Sequence, residues 1–173
     1  MDSYDIIIVG GGPAGSTLAR LLSDRYRILL IDRNRSKCCG GLLAPDAQKM
    51  IARLGLVMPD SLLQGPQLFS VSVHDFDNHL ARHYQRHYIN IDRNRFDKWL
   101  LSLVGANVTL CVPGQYECCR TESAKDRLTV DYTQNGVMRS VQTRLLVGAD
   151  GAFSKVRRGF FPERQNRERY LAV

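Results

Sequence analysis

Near the start of the chain, four β-favouring apolar residues, Ile6, Ile7, Ile8 and Val9, run straight into Gly10, Gly11, Gly12, Pro13, Ala14 and Gly15. An apolar run this short, ended by glycine, suits a strand buried on both faces. Beyond it, Leu18, Ala19, Leu21 and Leu22 recur at helical spacing, and a second apolar run over residues 28–31 ends on Asp32. Strand, glycine turn, helix, strand and acid follow one another as in a nucleotide-binding βαβ unit. Gly10 permits the tight turn, Gly12 lets backbone approach a pyrophosphate, and Gly15 lets helix and strand lie close. The helix start turns free N–H groups and a positive dipole end toward phosphate. Asp32 is placed to accept hydrogen bonds from a ribose hydroxyl pair. A bare G-x-G-x-x-G would not separate this from a structural turn; the flanking strand, helix and acid favour the dinucleotide. Gly10 and Gly15 also have the spacing of a Walker-type loop, but that loop needs a lysine where this chain has Ser16.

Composition narrows the class. The chain is 44% hydrophobic and 24% charged over 173 residues, enough apolar material for a sizeable core. The acidic N-terminus and the early glycines do not make a secretory signal, and no apolar stretch reaches membrane-spanning length. Five cysteines, Cys38, Cys39, Cys111, Cys118 and Cys119, are odd in number and form no C-x-x-C pair. That argues against a disulfide framework or thiolate zinc site and for a reducing, cytoplasmic setting. The formal charge is +7, with a net +4 concentrated in residues 155–169. Such a run is commonly a solvated face; its sharper reading is peripheral contact with an anionic membrane. Nucleic acid is not expected, since no helix-turn-helix, zinc finger or aromatic RNA-binding signature accompanies the charge.

Along the chain, Pro45 and Asp46 open a helix with Ala47, Met50, Ile51 and Leu54 at helical spacing, and Gly55 stops it. Phe69, Val71 and Val73 alternate with Ser70, Ser72 and His74, which predicts a half-buried strand. A turn at Asp77 and Asn78 leads to extended pieces over residues 80–84 and 88–91, an antiparallel layer separate from the glycine-motif core. His79, His83 and His87 would stack on one face of a helix as metal ligands. The flanking pattern is instead strand or loop, and no carboxylate or cysteine completes the set, so no metal is expected. Asp92 caps a helix whose buried stripe is Phe96, Leu100, Leu103 and Val104. Residues 107–111 predict a strand able to join the parallel sheet. Residues 116–120, 128–133 and 137–142 predict a meander, with Asn135-Gly136 as a hairpin turn. Residues 145–147 predict another short buried strand, running into Gly148-Ala149-Asp150-Gly151, and residues 170–173 look like the opening of a further strand.

Asp150-Gly151 with Ser154 and Arg157 would by itself be a helix cap with a glycine turn. Following the glycine fingerprint, it resembles the D-G motif of flavoprotein hydroxylase and glutathione reductase-like FAD families, and the meander resembles their three-stranded crossover. A plain NAD dehydrogenase would normally insert helices there. A narrower likeness lies in Lys37-Cys38-Cys39-Gly40-Gly41-Leu42-Leu43-Ala44-Pro45-Asp46. It resembles the K-P-C-G-G segment of the geranylgeranyl reductase-like FAD oxidoreductases, with Cys38 where that family has proline. Arg93, Phe96, Asp97 and Leu100 likewise resemble its R-x-x-F-D-x-x-L helix. The four motifs stand in the family's order and span the chain, which corresponds to the N-terminal portion of longer family members.

The resemblance implies an α/β fold: a Rossmann-like FAD-binding domain with parallel sheet and β-meander crossover, plus part of an antiparallel substrate-domain sheet. The FAD domain would comprise residues 1–66 and 92–160, and residues 67–91 and 161–173 would begin the substrate domain. Gly10, Gly12, Pro13, Ala14 and Gly15 would hold the FAD pyrophosphate, and Asp32 with Arg33 the adenosine. Cys39, Gly40 and Gly41 would lie near the isoalloxazine, Arg93 near the phosphates, Gly114 by the adenine, and Asp150 and Gly151 along the ribityl path. The implied reaction is reduction of isoprenoid lipid carbon–carbon double bonds by hydride from reduced flavin, with Cys39 as candidate catalytic residue. A non-catalytic FAD-binding remnant or interaction module, and an unrelated NAD(P)-binding Rossmann protein, are the alternatives.

Overall fold

A computed structural model of the chain describes residues 2–36, 39–122 and 127–163. Cys38, the basic residues Arg164, Arg167 and Arg169, and the strand expected at 170–173 lie outside the described residues. Two compact units emerge, one from Met1–Arg35 with Trp99–Val173 and the other from Ser36–Lys98.

The first unit is built on strand β1 (Ser3–Val9), followed by helix α1 (Pro13–Leu22) and strand β2 (Ile28–Ile31). β1 pairs in parallel with β2 from Ile6↔Ile28 to Val9↔Ile31, and β2 pairs in parallel with β6 (Val108–Cys111). Side chains alternate across a strand, and here both faces are covered. Ile6 and Ile8 join Ile28, Leu30, Val108 and Ala19 of α1 in one core. Ile7 and Val9 join Leu29, Ile31, Tyr116, Val130 and Val141 in another. This explains why β1 and β2 read as unbroken apolar runs.

The second core is roofed by the meander: β7 (Gln115–Glu122), β8 (Arg127–Gln134) and β9 (Val137–Gly148). Asn135 and Gly136, with φ of 51° and 76°, form the β8–β9 turn. The full sheet order is β6-β2-β1-β9-β8-β7. Here the structure corrects the sequence reading. Residues 145–147 are the far end of β9, and Leu145 is 51% exposed. β9 pairs antiparallel with β8 as far as Leu128↔Thr143 and parallel with β1 from Ser3↔Gln142 through Val9↔Gly148, so the two pairings overlap at residues 142 and 143. One strand serves two partners, a change of neighbour that local hydrophobicity does not record. Helix α4 (Lys155–Phe160) follows, with Val156 in the second core.

In the second unit, β3 (Leu42–Leu43), β5 (Leu80–Asn90) and β4 (Leu68–Asp75) form an antiparallel sheet in the order β3-β5-β4. β5 is one strand where two pieces were expected, because a bulge between the Leu68 and Ser70 pairings absorbs the irregular stretch. β4 alternates as predicted but is not half-buried: Phe69 is 63% and Val73 50% exposed. Helix α2 (Pro45–Arg53) has no buried residue, so its apolar spacing marks a helix without a buried stripe. Gly55 ends it with φ of 67°. Helix α3 (Arg93–Ser102) buries Phe96 and Leu100, with Leu103 and Val104 beyond its end only half-buried. His83 and His87 lie on β5 and His79 in the turn before it, and among the described residues no three metal-ligating groups converge. No helix among them is long and apolar enough to cross a membrane.

The core assignment is open to measurement. Ile7 is fully buried, so Ile7→Ala is expected to cost about 2–5 kcal/mol in urea unfolding. Phe76, at 84% exposed, is expected to tolerate serine within about 0.5 kcal/mol.

Candidate nucleotide site

At the end of β1 the chain turns through Gly10, whose φ of 109° favours glycine. Its N–H donates to the Ile31 carbonyl at 2.8 Å, and the Ala149 N–H donates to the Val9 carbonyl at 2.8 Å. A side chain on Gly10 would strike the Ala149 carbonyl, and one on Gly15 would strike the Gly10 carbonyl. The turn, the first turn of α1 and the end of β9 are thus pressed together by backbone alone. Gly12 differs: its φ of −73° and ψ of −175° suit any residue. As N-cap it offers no side chain, Pro13 follows, and the first turn of α1 holds no acid. The N–H groups of Ala14 and Gly15 therefore open the helix without a side-chain acceptor, as an anion site requires. Ser16, fully buried, ties the turn down by donating its hydroxyl to the Gly11 carbonyl at 2.8 Å.

Asp32 stands at the end of β2 with its carboxylate fixed. Oδ2 accepts the Gly11 N–H at 2.7 Å and Oδ1 accepts the Asn34 N–H at 2.7 Å. Each oxygen keeps a further lone pair for a ribose hydroxyl. The Gly114 N–H donates to the Asp32 carbonyl at 2.7 Å, and a side chain there would strike Cys111. Gly114 therefore joins the ends of β2 and β6, a structural reason for the glycine that sequence spacing did not reveal. A cleft of about 300 Å³ is lined by Arg33, Arg35, Gly114, Gln115, Thr133 and Asn135. Glu117, also at this cleft, accepts from Gln115 at 2.8 Å and Thr133 at 3.2 Å, and pairs with Lys155 at 3.3 Å. Burial would raise its carboxyl, but these hydrogen bonds and the Lys155 charge outweigh that and hold it below the usual carboxylate range. Sequence reasoning missed Arg35, Gln115 and Asn135. Asn135 was legible only as a turn residue, and only the strand order brings that turn beside Gly114.

Asp150 closes the other side. Its Oδ2 caps α4 by accepting the Lys155 N–H at 2.7 Å, while its Oδ1 is buried with no partner. The Asp150 backbone N–H would lie 2.9 Å from a side chain placed on Gly10, so the second motif abuts the first. Gly151 has φ of 83° and open space around it. Ser154 caps α4 as the alternative reading supposed, accepting the Arg157 N–H at 2.9 Å. Of the basic run, Lys155 is paired with Glu117 and Arg157 donates to the Ala152 carbonyl at 2.8 Å.

The remaining sequence candidates belong to the second unit. Gly41 has φ of 68°, and a side chain there would strike the Ile91 carbonyl across the β3–β5 pairing. Gly40 has open space around it. Cys39 is exposed, with Sγ 3.6 Å from Arg93 Nη1, while Arg93 Nε donates to Asp97 Oδ1 at 2.7 Å. The structure thus gathers Gly10, Gly12, Pro13, Ala14, Gly15, Asp32, Arg33, Gly114, Asp150 and Gly151 in one unit, and Cys39, Gly40, Gly41 and Arg93 in the other.

Residues 8–56 match the family model of the NAD(P)-binding Rossmann-like domain. The protein CbrA of Escherichia coli K12 is 42% identical over 180 residues, covering all of this chain and 50% of that protein. CbrA of Shigella flexneri is likewise 42% identical, with 48% of its length covered. The chain spans about half the length of the curated relatives it matches. A probable FAD-dependent monooxygenase from Pseudomonas aeruginosa is similar in structure, with a TM-score of 0.73 and 24% identity over 98% of this chain and 48% of that one. A geranylgeranyl bacteriochlorophyll reductase-like protein from Thermoplasma acidophilum gives 0.70 and 19% over 84% of this chain and 38% of that one. The chain has the Rossmann-type fold found in such flavoenzymes.

Thiol environments make one outcome predictable. Burial raises the Cys111 thiol and pushes Cys119 up to about 11, and the hydrogen bond to Asp131 raises Cys118. A raised thiol stays protonated and unreactive at moderate pH, by about tenfold per unit. With iodoacetamide at pH 8, peptide mass spectrometry is expected to find exposed Cys39 alkylated faster than these three, and at least ~10-fold faster than Cys119. Labelling of Cys119 should emerge only as the pH climbs toward about 11.

Proposed function

We propose that this chain binds FAD and provides the nucleotide-binding part of a flavin-dependent oxidoreductase. The observation that carries the reading is the meeting of the two motifs. A bare helix start lies between a fixed carboxylate at Asp32 and the unpartnered buried oxygen of Asp150. The residues fit the cofactor: Gly12, Pro13, Ala14 and Gly15 would hold the pyrophosphate, and Asp32 the adenosine ribose. Arg33 and Gly114 would flank the adenine side, and Asp150 Oδ1 would accept a hydroxyl of the ribityl chain. Gly151 would leave backbone space beside it.

FAD, when bound, supplies hydride chemistry; the protein supplies binding, orientation and exclusion of water. The meander in place of crossover helices favours flavin over a pyridine nucleotide, as do the flavin-dependent enzymes among the structural neighbours. The finer reading is reduction of isoprenoid lipid double bonds, approached from an anionic membrane surface on the cytoplasmic side. It rests on the geranylgeranyl reductase-like resemblance and on the neighbour of that description. The NAD(P) description of the matched family model favours the second reading, a pyridine-nucleotide protein.

The test is the visible spectrum of the purified chain after incubation with FAD and desalting. Retained yellow flavin is expected. In Gly12→Val, with circular dichroism unchanged, affinity should fall about 100-fold, or ~2.7 kcal/mol. Preferential binding of NADH or NADPH with no flavin retention would replace this reading with the second. Turnover of an isoprenoid lipid with added reductant separates an enzyme from a flavin-binding module.

A further inference from the structure

The β7–β8 pairing slips at Glu117. Tyr116 pairs with Tyr132 and Cys118 with Asp131, so the register moves by one and Glu117 is the residue left over. Unbroken alternation would have set Glu117 opposite Asp131, in the place that Cys118 takes. A bulge of this kind re-aims a side chain, and such bulges gather beside functional sites. Here the re-aimed carboxylate lies at the cleft, where Oε1 accepts from Gln115 Nε2 and the Thr133 hydroxyl. An ionised carboxylate only accepts, so Gln115 must turn its amide nitrogen, not its oxygen, to Glu117.

The other oxygen, Oε2, meets Lys155 Nζ at 3.3 Å, and the same ammonium donates to the Tyr116 carbonyl at 3.4 Å. Lys155 is the first residue of α4, and its backbone N–H is the one that Asp150 Oδ2 accepts. Two residues thus connect the cleft wall to Asp150, whose Oδ1 is buried and unpartnered among the described residues. Stability alone is a poor reason for the connection. The pair stays open to solvent, with side chains 43% and 28% exposed, and ion pairs in that setting contribute little to folding. What it supplies is position. α4 has six residues, too few to persist without tertiary contacts, and Lys155 fastens its first turn to β7.

We propose that Glu117 and Lys155 are positioning residues of the cofactor site, tying α4 to the β7 bulge so that Asp150 is held at a set place relative to the cleft. The inference rests on the flavin reading and names what keeps its two ends, the adenosine cleft and the ribityl carboxylate, in register. Lys155 acts through Asp150, and Glu117 acts through Lys155.

The experiment compares FAD with AMP, which carries the adenosine end of the cofactor and has no ribityl chain. Dissociation constants are measured on the full chain and on Lys155→Met, Lys155→Arg and Glu117→Gln, with circular dichroism as the check on folding. The amide of Glu117→Gln keeps an oxygen for Gln115 and Thr133 but turns a nitrogen toward Lys155. FAD affinity is expected to fall ~10-fold in Lys155→Met and in Glu117→Gln, and to recover to within ~2-fold in Lys155→Arg. AMP affinity should move less than ~2-fold in Lys155→Met, which loses nothing at the cleft itself. In the unliganded chain, amide exchange at residues 155 and 156 should quicken in Lys155→Met and Glu117→Gln and not in Lys155→Arg. Equal loss of FAD and AMP would make the pair a support of the fold alone and overturn the proposal. So would unchanged FAD affinity, unchanged exchange, or Lys155→Arg failing as badly as Lys155→Met. An unaltered chain that binds no FAD overturns the flavin reading and this inference together, whereas the other outcomes leave that reading intact.

Discussion

At Gly10 three segments meet with no room for a side chain. β1 ends there, α1 begins against its carbonyl through Gly15, and β9 arrives with Ala149 in contact. Much else follows from this close approach. α1 is brought onto β1 with its first N–H groups at the sheet's carboxyl end, where open α/β sheets bind ligands. The Ala149–Val9 hydrogen bond fixes the end of β9, and so places Asp150 and the start of α4 beside the same turn. Substitution at Gly10 or Gly15 would thus disturb fold and site together.

The glycines separate into two kinds. Gly10, Gly15, Gly41 and Gly114 are demanded by the fold itself, since a side chain at each would strike backbone or the Cys111 sulfur. At Gly41 and Gly114 this accounts for a glycine that the sequence reading had reserved for a ligand. Gly12 has unstrained dihedrals, and Gly40 has both open space and no left-handed φ. Neither conformation explains the missing side chain at these two positions, which makes them the better candidates for approach by a flat or charged ligand. The sequence motif names all of them alike; only coordinates divide them.

What was legible in the sequence is what neighbours along the chain determine. The apolar runs of β1, β2 and β6, the Asn135-Gly136 turn and the caps at Asp92 and Ser154 depend on local pattern, and the structure contains each of them. What was not legible depends on which distant segments lie side by side. The exchange of β8 for β1 along β9 is invisible to periodicity, because both environments accept the same alternation. Exposure of β4 is equally hidden, since an alternating pattern does not record whether its apolar face is covered. Arg35, Gln115 and Asn135 are ordinary loop and strand residues until the sheet order sets them around one cleft.

Asp150 carries a tension that bears on the choice of ligand. One carboxylate oxygen is committed to the N-terminus of α4, and the other is buried without a donor, a costly arrangement for an ionised group. A second anion brought to the nearby helix start would add repulsion unless the same molecule also carried hydroxyl donors. A phosphate monoester dianion has none. In the proposed cofactor, a polyhydroxylated chain next to the pyrophosphate would supply them, and the other ribose would meet Asp32. On the proposed reading, the site would suit a ligand that is anionic at its centre and hydroxylated on both flanks.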